Sequence, residues 1–270
     1  MFKNKYYCVV AGLPDLFFGE NNKGVNSLEF KEELQNELSK PDFELVKLLY
    51  LENENKQLLS LAPEKSKSSD DQDPDPIEHL EYMRVFIEWT ENLGAEKSML
   101  QFENKLNSLY YAHLLSTHNS FLENWFRFQL NIKNILTAFN CSQHAYSLEK
   151  HLIKVSQDKT VYPQLLEKRL KQEYFKDELP FADKIFHTAE LDTSPEEKEK
   201  AIDKICWDYL DEQTVFHYFT IEKVLSYIIK LDIIERWMRL DAETGIALLN
   251  KLMEELKLSY TFPEEFSTVK

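Results

Sequence analysis

The sequence predicts an all-α fold: an elongated, multi-helix array with a short extended segment at its N-terminus. Three observations carry this expectation. Only 5 glycines occur in 270 residues, roughly a quarter of what ordinary usage near 7% would supply, which disfavours glycine-rich phosphate loops and many-turned sheets. Apolar residues recur at helical spacing along most of the chain, several times behind a helix-start signal. The composition, 43% hydrophobic and 29% charged, buries enough apolar surface to offset chain entropy.

In chain order, Tyr6 to Phe18 is rich in Tyr, Val and Phe and punctuated by Gly12 and Pro14, which reads as a short strand or tight apolar hook. Asn26 and Glu29 form a capping-box pair ahead of Leu28, Phe30, Leu34 and Leu38, so a helix starts there and Pro41 ends it. A second helix follows over Asp42 to Leu61, with a break expected around Asn53 and Asn55. Residues 62–76, Ala-Pro-Glu-Lys-Ser-Lys-Ser-Ser-Asp-Asp-Gln-Asp-Pro-Asp-Pro, have no apolar period and read as an acidic linker. The chain thus divides into an N-terminal helical segment (1–61), the linker (62–76) and a main helical body (77–270), with the first and last expected to share one structural unit.

Asp75, Pro76 and Glu78 end the linker on a helix start, and Ser194, Pro195 and Glu197 make another. Helices are expected at Ile77–Leu93, Glu96–Leu115, Asn119–Phe139, Ala145–Val155, Pro163–Tyr174, Pro195–Tyr209, Thr214–Leu240 and Ala242–Leu256. Two of them are central, because Trp125 to Phe139 and Val215 to Met238 are apolar around most of their circumference.

Charge and cysteine usage narrow the function classes. A net charge of −15 repels a phosphate backbone, and the nearest basic cluster, Lys168, Arg169 and Lys171, is flanked by Glu167 and Glu173, so nucleic acid is not an expected partner. Cys8, Cys141 and Cys206 are odd in number and widely spaced, which fits a reducing cytoplasm better than a disulfide framework. Charged residues interrupt Val215 to Leu240, so any membrane association is expected to be peripheral.

Catalytic patterns are sparse. No glutamate stands three residues before any of the 7 histidines, which removes a di-iron bundle motif. His113 and His118 lie about 140° apart on a helix, with no cysteine nearby in sequence. Phosphate-loop, dinucleotide and serine-hydrolase motifs do not occur. Asp232, Glu235, Arg236 and Arg239 could form a polar site beside Trp237, but two i,i+4 pairs on a solvent face are the commoner arrangement. Glu103, Asn104, Asn107, Asn124, Asn131 and Asn134 lie near aromatic stripes, where buried amides would fix packing register. The stripe of Trp89, Tyr110, Tyr111, Trp125, Phe126, Trp207 and Trp237 reads as core rather than as a ligand pocket. No catalytic, cofactor-binding or metal-ligating residue is singled out, and no cofactor is expected.

Three stretches carry a family resemblance: Tyr6-Tyr7-Cys8-Val9-Val10-Ala11-Gly12-Leu13-Pro14-Asp15-Leu16; Phe121-Leu122-Glu123-Asn124-Trp125-Phe126-Arg127-Phe128 with Leu130-Asn131-Ile132; and Ile221-Glu222-Lys223-Val224-Leu225 through Ile233-Ile234-Glu235-Arg236-Trp237. The chain resembles an uncharacterised bacterial family encoded beside V-type ATPase subunits. That family is similar in size, helix content and gene position to the helical funnel of those complexes, which seats the rotor axle on the membrane ring. The resemblance implies a funnel-like, non-catalytic central-stalk component, bound to axle and ring, cytoplasmic and peripheral at the inner membrane. The funnel proper has three related helical units, whereas two aromatic units, Ile77 to Phe139 and Pro195 to Leu256, are discernible here. A helical enzyme with an aromatic-lined pocket and a regulatory scaffold are the alternatives.

Overall fold

A computed structural model describes residues 5–19, 27–65, 80–92, 98–155, 161–167, 170–175, 179–239 and 253. They form an all-α, multi-helix architecture, and no strand occurs among them. The helices are α1 (Tyr7–Ala11), α2 (Ser27–Glu37), α3 (Lys40–Leu48), α4 (Leu51–Lys65), α5 (Glu81–Glu91), α6 (Met99–Leu115), α7 (Ser120–His144), α8 (Leu148–His151), α9 (Tyr162–Leu166), α10 (Ala182–Glu190), α11 (Pro195–Thr214) and α12 (Ile221–Arg239).

Neighbouring helices pack in the order α5, α6, α7, α10, α11, α12. The N-terminal helices tie the two ends of that row together, since α1, α2 and α3 lie on α12 while α4 lies on α5 and α6. One core runs throughout, joining Leu34 and Val46 to Phe86, Trp125, Ile185, Leu210 and Leu225. Of the two helices read as central, α7 is enclosed and α12 is enclosed over its first part, whereas Val215, Phe216, Tyr218 and Met238 are exposed. Leu122, Leu130 and Ile135 on α7 and Val224, Leu225 and Ile228 on α12 have no accessible surface. Phe128 stacks on Tyr209 of α11 with ring centroids 4.0 Å apart.

Several boundaries differ from expectation, each for a physical reason. Residues 7–11 are a helical turn rather than a strand. A strand needs a partner ladder to satisfy its backbone, whereas here Val10 N donates to Tyr6 O at 3.0 Å and Tyr6 N donates to Phe219 O at 2.7 Å. The break in the second helix falls at Leu49 and Tyr50, not at Asn53 and Asn55. It turns Tyr50 inward to donate to Ser27 O at 3.2 Å, and Asn55, buried within α4, accepts from Tyr82 at 2.9 Å. Helix α4 continues through residues 62–65, the start of the expected linker.

Helix α7 runs past Phe139 to His144 and ends on Ala145 in the left-handed conformation (φ 55°). The expected helix from Ala145 to Val155 shrinks accordingly to α8, and Pro163–Tyr174 resolves into α9 plus a 3-10 turn at Gln172–Tyr174. Helix α11 includes Thr214, so α12 begins seven residues later, after an exposed turn. Helix α10 was not among the predicted elements. The starts at Asn26 and at Asp75–Pro76, residues 168–169 of the basic cluster, and the helix Ala242–Leu256 apart from Met253 lie outside the described residues. The start at Ser194 forms as predicted: Glu197 N donates to Ser194 Oγ at 3.2 Å, and Ser194 N donates to the Glu197 carboxylate at 3.1 Å.

Two asparagines of α7 are fully enclosed and organise irregular chain. Asn134 donates to Ile153 O at 3.0 Å and accepts from Ile153 N at 2.9 Å; Asn131 accepts from Val161 N at 3.1 Å. Both polar backbone groups of Ile153 and the N–H of Val161 are therefore matched without joining a helix. Replacing Asn134 with Ala orphans a buried N–H and a buried C=O, so urea unfolding should show a loss of about 2 kcal/mol.

Candidate functional site

A cleft of about 1120 Å³ opens among α4, α6, α7 and α11. Ile132 and Leu136 of α7 and Ile202 of α11 supply apolar lining, with Tyr110 and Tyr111 of α6 beside them. Charges of both signs surround this lining, Lys56, Lys133, Lys198 and Arg236 against Glu52, Glu103, Glu199 and Asp203. The cleft exceeds the roughly 300–1,000 Å³ of small-molecule pockets. A cylinder about 10 Å wide and about 14 Å long, or two to three helical turns, has that volume.

The predicted aromatic stripe divides. Trp125, Phe126, Trp207, Tyr110 and Tyr111 are core, Trp89 packs on Phe86 and Phe102, and Tyr110 and Tyr111 also line the cleft. Burial drives both tyrosine hydroxyls to a higher pKa, and the negative charge of Glu52 adds to it. Both therefore stay protonated across the physiological range.

At the α11–α12 edge of the cleft, Asp203 is the organising group. It is 6% exposed, accepts from Trp237 Nε1 at 2.6 Å and pairs closely with the Arg236 guanidinium. Arg236 also reaches Glu199 at 3.0 Å. Cys206, one turn along α11, has its thiol pushed up to about 12 by burial first and by Asp203 second, with Arg236 opposing. Asp203 was not singled out from the sequence. Its signal was its place in the apolar row of Cys206, Trp207 and Leu210, where an acid needs a partner.

The four charged residues near Trp237 are thus divided between two faces of α12. Arg236 faces α11, while Glu235 accepts from Ser27 N at 2.6 Å and from Ser27 Oγ at 2.7 Å, tying α2 to α12. Asp232 shares that second face, and its carboxyl is pushed up to about 7 by burial and then by the charge of Glu235. Ser27 and Arg239 oppose the shift without cancelling it.

His113 packs on Tyr82 with ring centroids 5.1 Å apart, and burial lowers its pKa. Among the described residues, no three His, Cys, Asp or Glu side chains group as a metal site. All three cysteines are free, Cys8 exposed and the other two buried. No helix of the described residues is long and apolar enough to cross a membrane.

No curated protein and no solved structure matches the chain. One family model does, over residues 3–81 and 67–259, and its description is "Protein of unknown function (DUF2764)". Those two overlapping spans take in α1 through α12, with the cleft, the Asp203 junction and the α2–α12 tie, and the chain accordingly belongs to the DUF2764 family.

Proposed function

We propose that the protein is a non-catalytic, funnel-like component of the central stalk of a bacterial V-type ATPase or ATP synthase, joining rotor axle to membrane ring at the cytoplasmic face. The observation that carries this reading is the open cleft of about 1120 Å³, whose volume and mixed-charge rim suit the end of a helical axle. The resemblance supports it in a second way. Two of its three motifs fall on α7 and α12, where Trp125, Phe126, Ile221 and Leu225 are buried. They act as packing that stiffens the body, as torque transmission requires. The α11–α12 turn adds contact surface, with Phe216 84% and Tyr218 66% exposed.

Affinity purification of the tagged protein from mild-detergent membranes of its native host, followed by mass spectrometry after a salt wash, tests the reading. Catalytic, axle and ring proteins of the ATPase are expected in constant ratio. Recovery of none of them, from membranes in which the ATPase is intact, would sink it.

A further inference from the structure

The wall of the cleft carries polar groups that folding leaves unused. Tyr110 and Tyr111 of α6 are 7% and 6% exposed, yet neither hydroxyl has a hydrogen-bond partner in the protein. Neither is sealed off as the Tyr227 hydroxyl is, so each reaches the cleft that its residue lines. Burial above all raises both pKa values, so both groups are O–H donors at neutral pH. Largely buried phenols are ordinarily bonded, and two unbonded ones at adjacent positions leave donors turned toward whatever fills the cleft.

Further donors stand near them. The side-chain amides of Asn107 on α6 and Gln129 on α7 line the same cleft, half-buried and without a partner among the described residues. Lys133, one turn beyond Gln129, is exposed and unpaired among them. The acids of the lining are mostly engaged, Glu52 with Lys56 and both Glu199 and Asp203 with Arg236. Glu103 is the exposed carboxylate that remains.

We propose that the occupant of this cleft is the C-terminal end of a partner helix, entering end-on. The inference rests on the stalk reading and adds which end of the axle helix is gripped. The last four carbonyls of a helix have no partner within it. A helix N-terminus commonly carries its own Ser, Thr, Asp or Asn as a cap, whereas the carbonyls of a C-terminus are left to backbone turns or to donors from outside. Two phenols, two amides and one ammonium supply those donors, and the ammonium of Lys133 also meets the negative pole of the helix dipole. The apolar lining of Ile132, Leu136 and Ile202 receives the side chains of the last turns. Glu103 answers Lys or Arg there, the residues favoured near a helix C-terminus.

The test uses the full-length tagged protein in native membranes. Benzoylphenylalanine replaces Lys133 on the rim, and after photolysis the cross-linked peptides are sequenced by mass spectrometry. Cross-links to the last three turns of an axle helix are expected. A double variant, Tyr110→Phe with Tyr111→Phe, removes both hydroxyls and keeps both rings. It should retain at least tenfold less axle protein after the salt wash, the effect of two hydrogen bonds at about fivefold each. Its urea midpoint should not fall, because neither hydroxyl is bonded within the protein. Cross-links to the first turns or the middle of an axle helix, no cross-link to the axle, undiminished retention by the double variant, or a lowered midpoint overturns the inference. Each of these leaves the stalk reading standing, since the unaltered protein still recovers the axle. Failure of the unaltered protein to recover the axle overturns both.

Discussion

Replacing Asp203 with Ala is expected to lower the unfolding free energy by about 3 kcal/mol, with Asp203→Asn costing about half as much. Asp203 is buried and accepts from two donors on α12, the Trp237 indole and the Arg236 guanidinium, and hydrogen bonds to a buried charge contribute roughly 1.5–3 kcal/mol each. The total stays below the sum of two such bonds because Arg236 is 39% exposed and keeps Glu199 as a partner. The asparagine variant retains an acceptor for Trp237 while losing the ionic component. Glu199→Gln is the control: its carboxylate is half-exposed, so it should cost under about 0.5 kcal/mol. Urea unfolding of the three variants measures the series. A loss under about 1 kcal/mol for Asp203→Ala would show that apolar packing alone holds α11 to α12.

The second large effect is a dependence on pH centred on Asp232. In the unfolded chain this carboxyl loses its proton near pH 4, as ordinary carboxyls do. In the folded protein it retains the proton to about pH 7, because burial and Glu235 disfavour its ionised form. Between those values the folded state binds the extra proton, so stability falls as pH rises through the window, and the whole penalty is felt above pH 7. At about 1.4 kcal/mol per pH unit over this window the penalty is on the order of 4 kcal/mol.

The groups that face Asp232 set the sign. Glu235 on the same helix and Glu52 of α4 raise its pKa, Ser27 and Arg239 lower it, and Tyr50, whose own pKa is raised by burial and then by Asp232, remains neutral. Asp232→Asn should therefore flatten the stability profile between pH 5 and 8 and stabilise the protein at pH 8, read by urea titrations at each pH. An unaltered slope in that variant would assign the dependence to another group. Because Ser27 binds Glu235 at the same place, the prediction also locates the loosening: the α2 layer is the part expected to gain hydrogen exchange first at high pH.

Where the residues carried a strong local signal, sequence and structure agree. The capping box at Ser194 closes as its spacing requires, and Trp125, Leu130 and Ile135 are interior because α7 is apolar around most of its circumference. Where the signal was weak, the long-range partner decided. Asn134 looked like one polar edge among several, yet its amide holds Ile153. Asp232, Glu235 and Arg236 read as i,i+4 pairs along one helix, yet their partners are on α2 and α11.

The same division holds for the sites. Which residue types are available for chemistry, the exclusion of glycine-dependent loops and the all-helical character follow from sequence alone, because composition and 3.6-residue periodicity are local properties. Tertiary structure alone determined which acids are buried. It also joined α4, α6, α7 and α11 around one cleft and opened the unpaired Tyr110 and Tyr111 hydroxyls into it. Burial and partnership depend on groups far apart in the chain, such as Ser27 and Glu235, 208 residues apart, and no local pattern encodes which distant side chain will arrive.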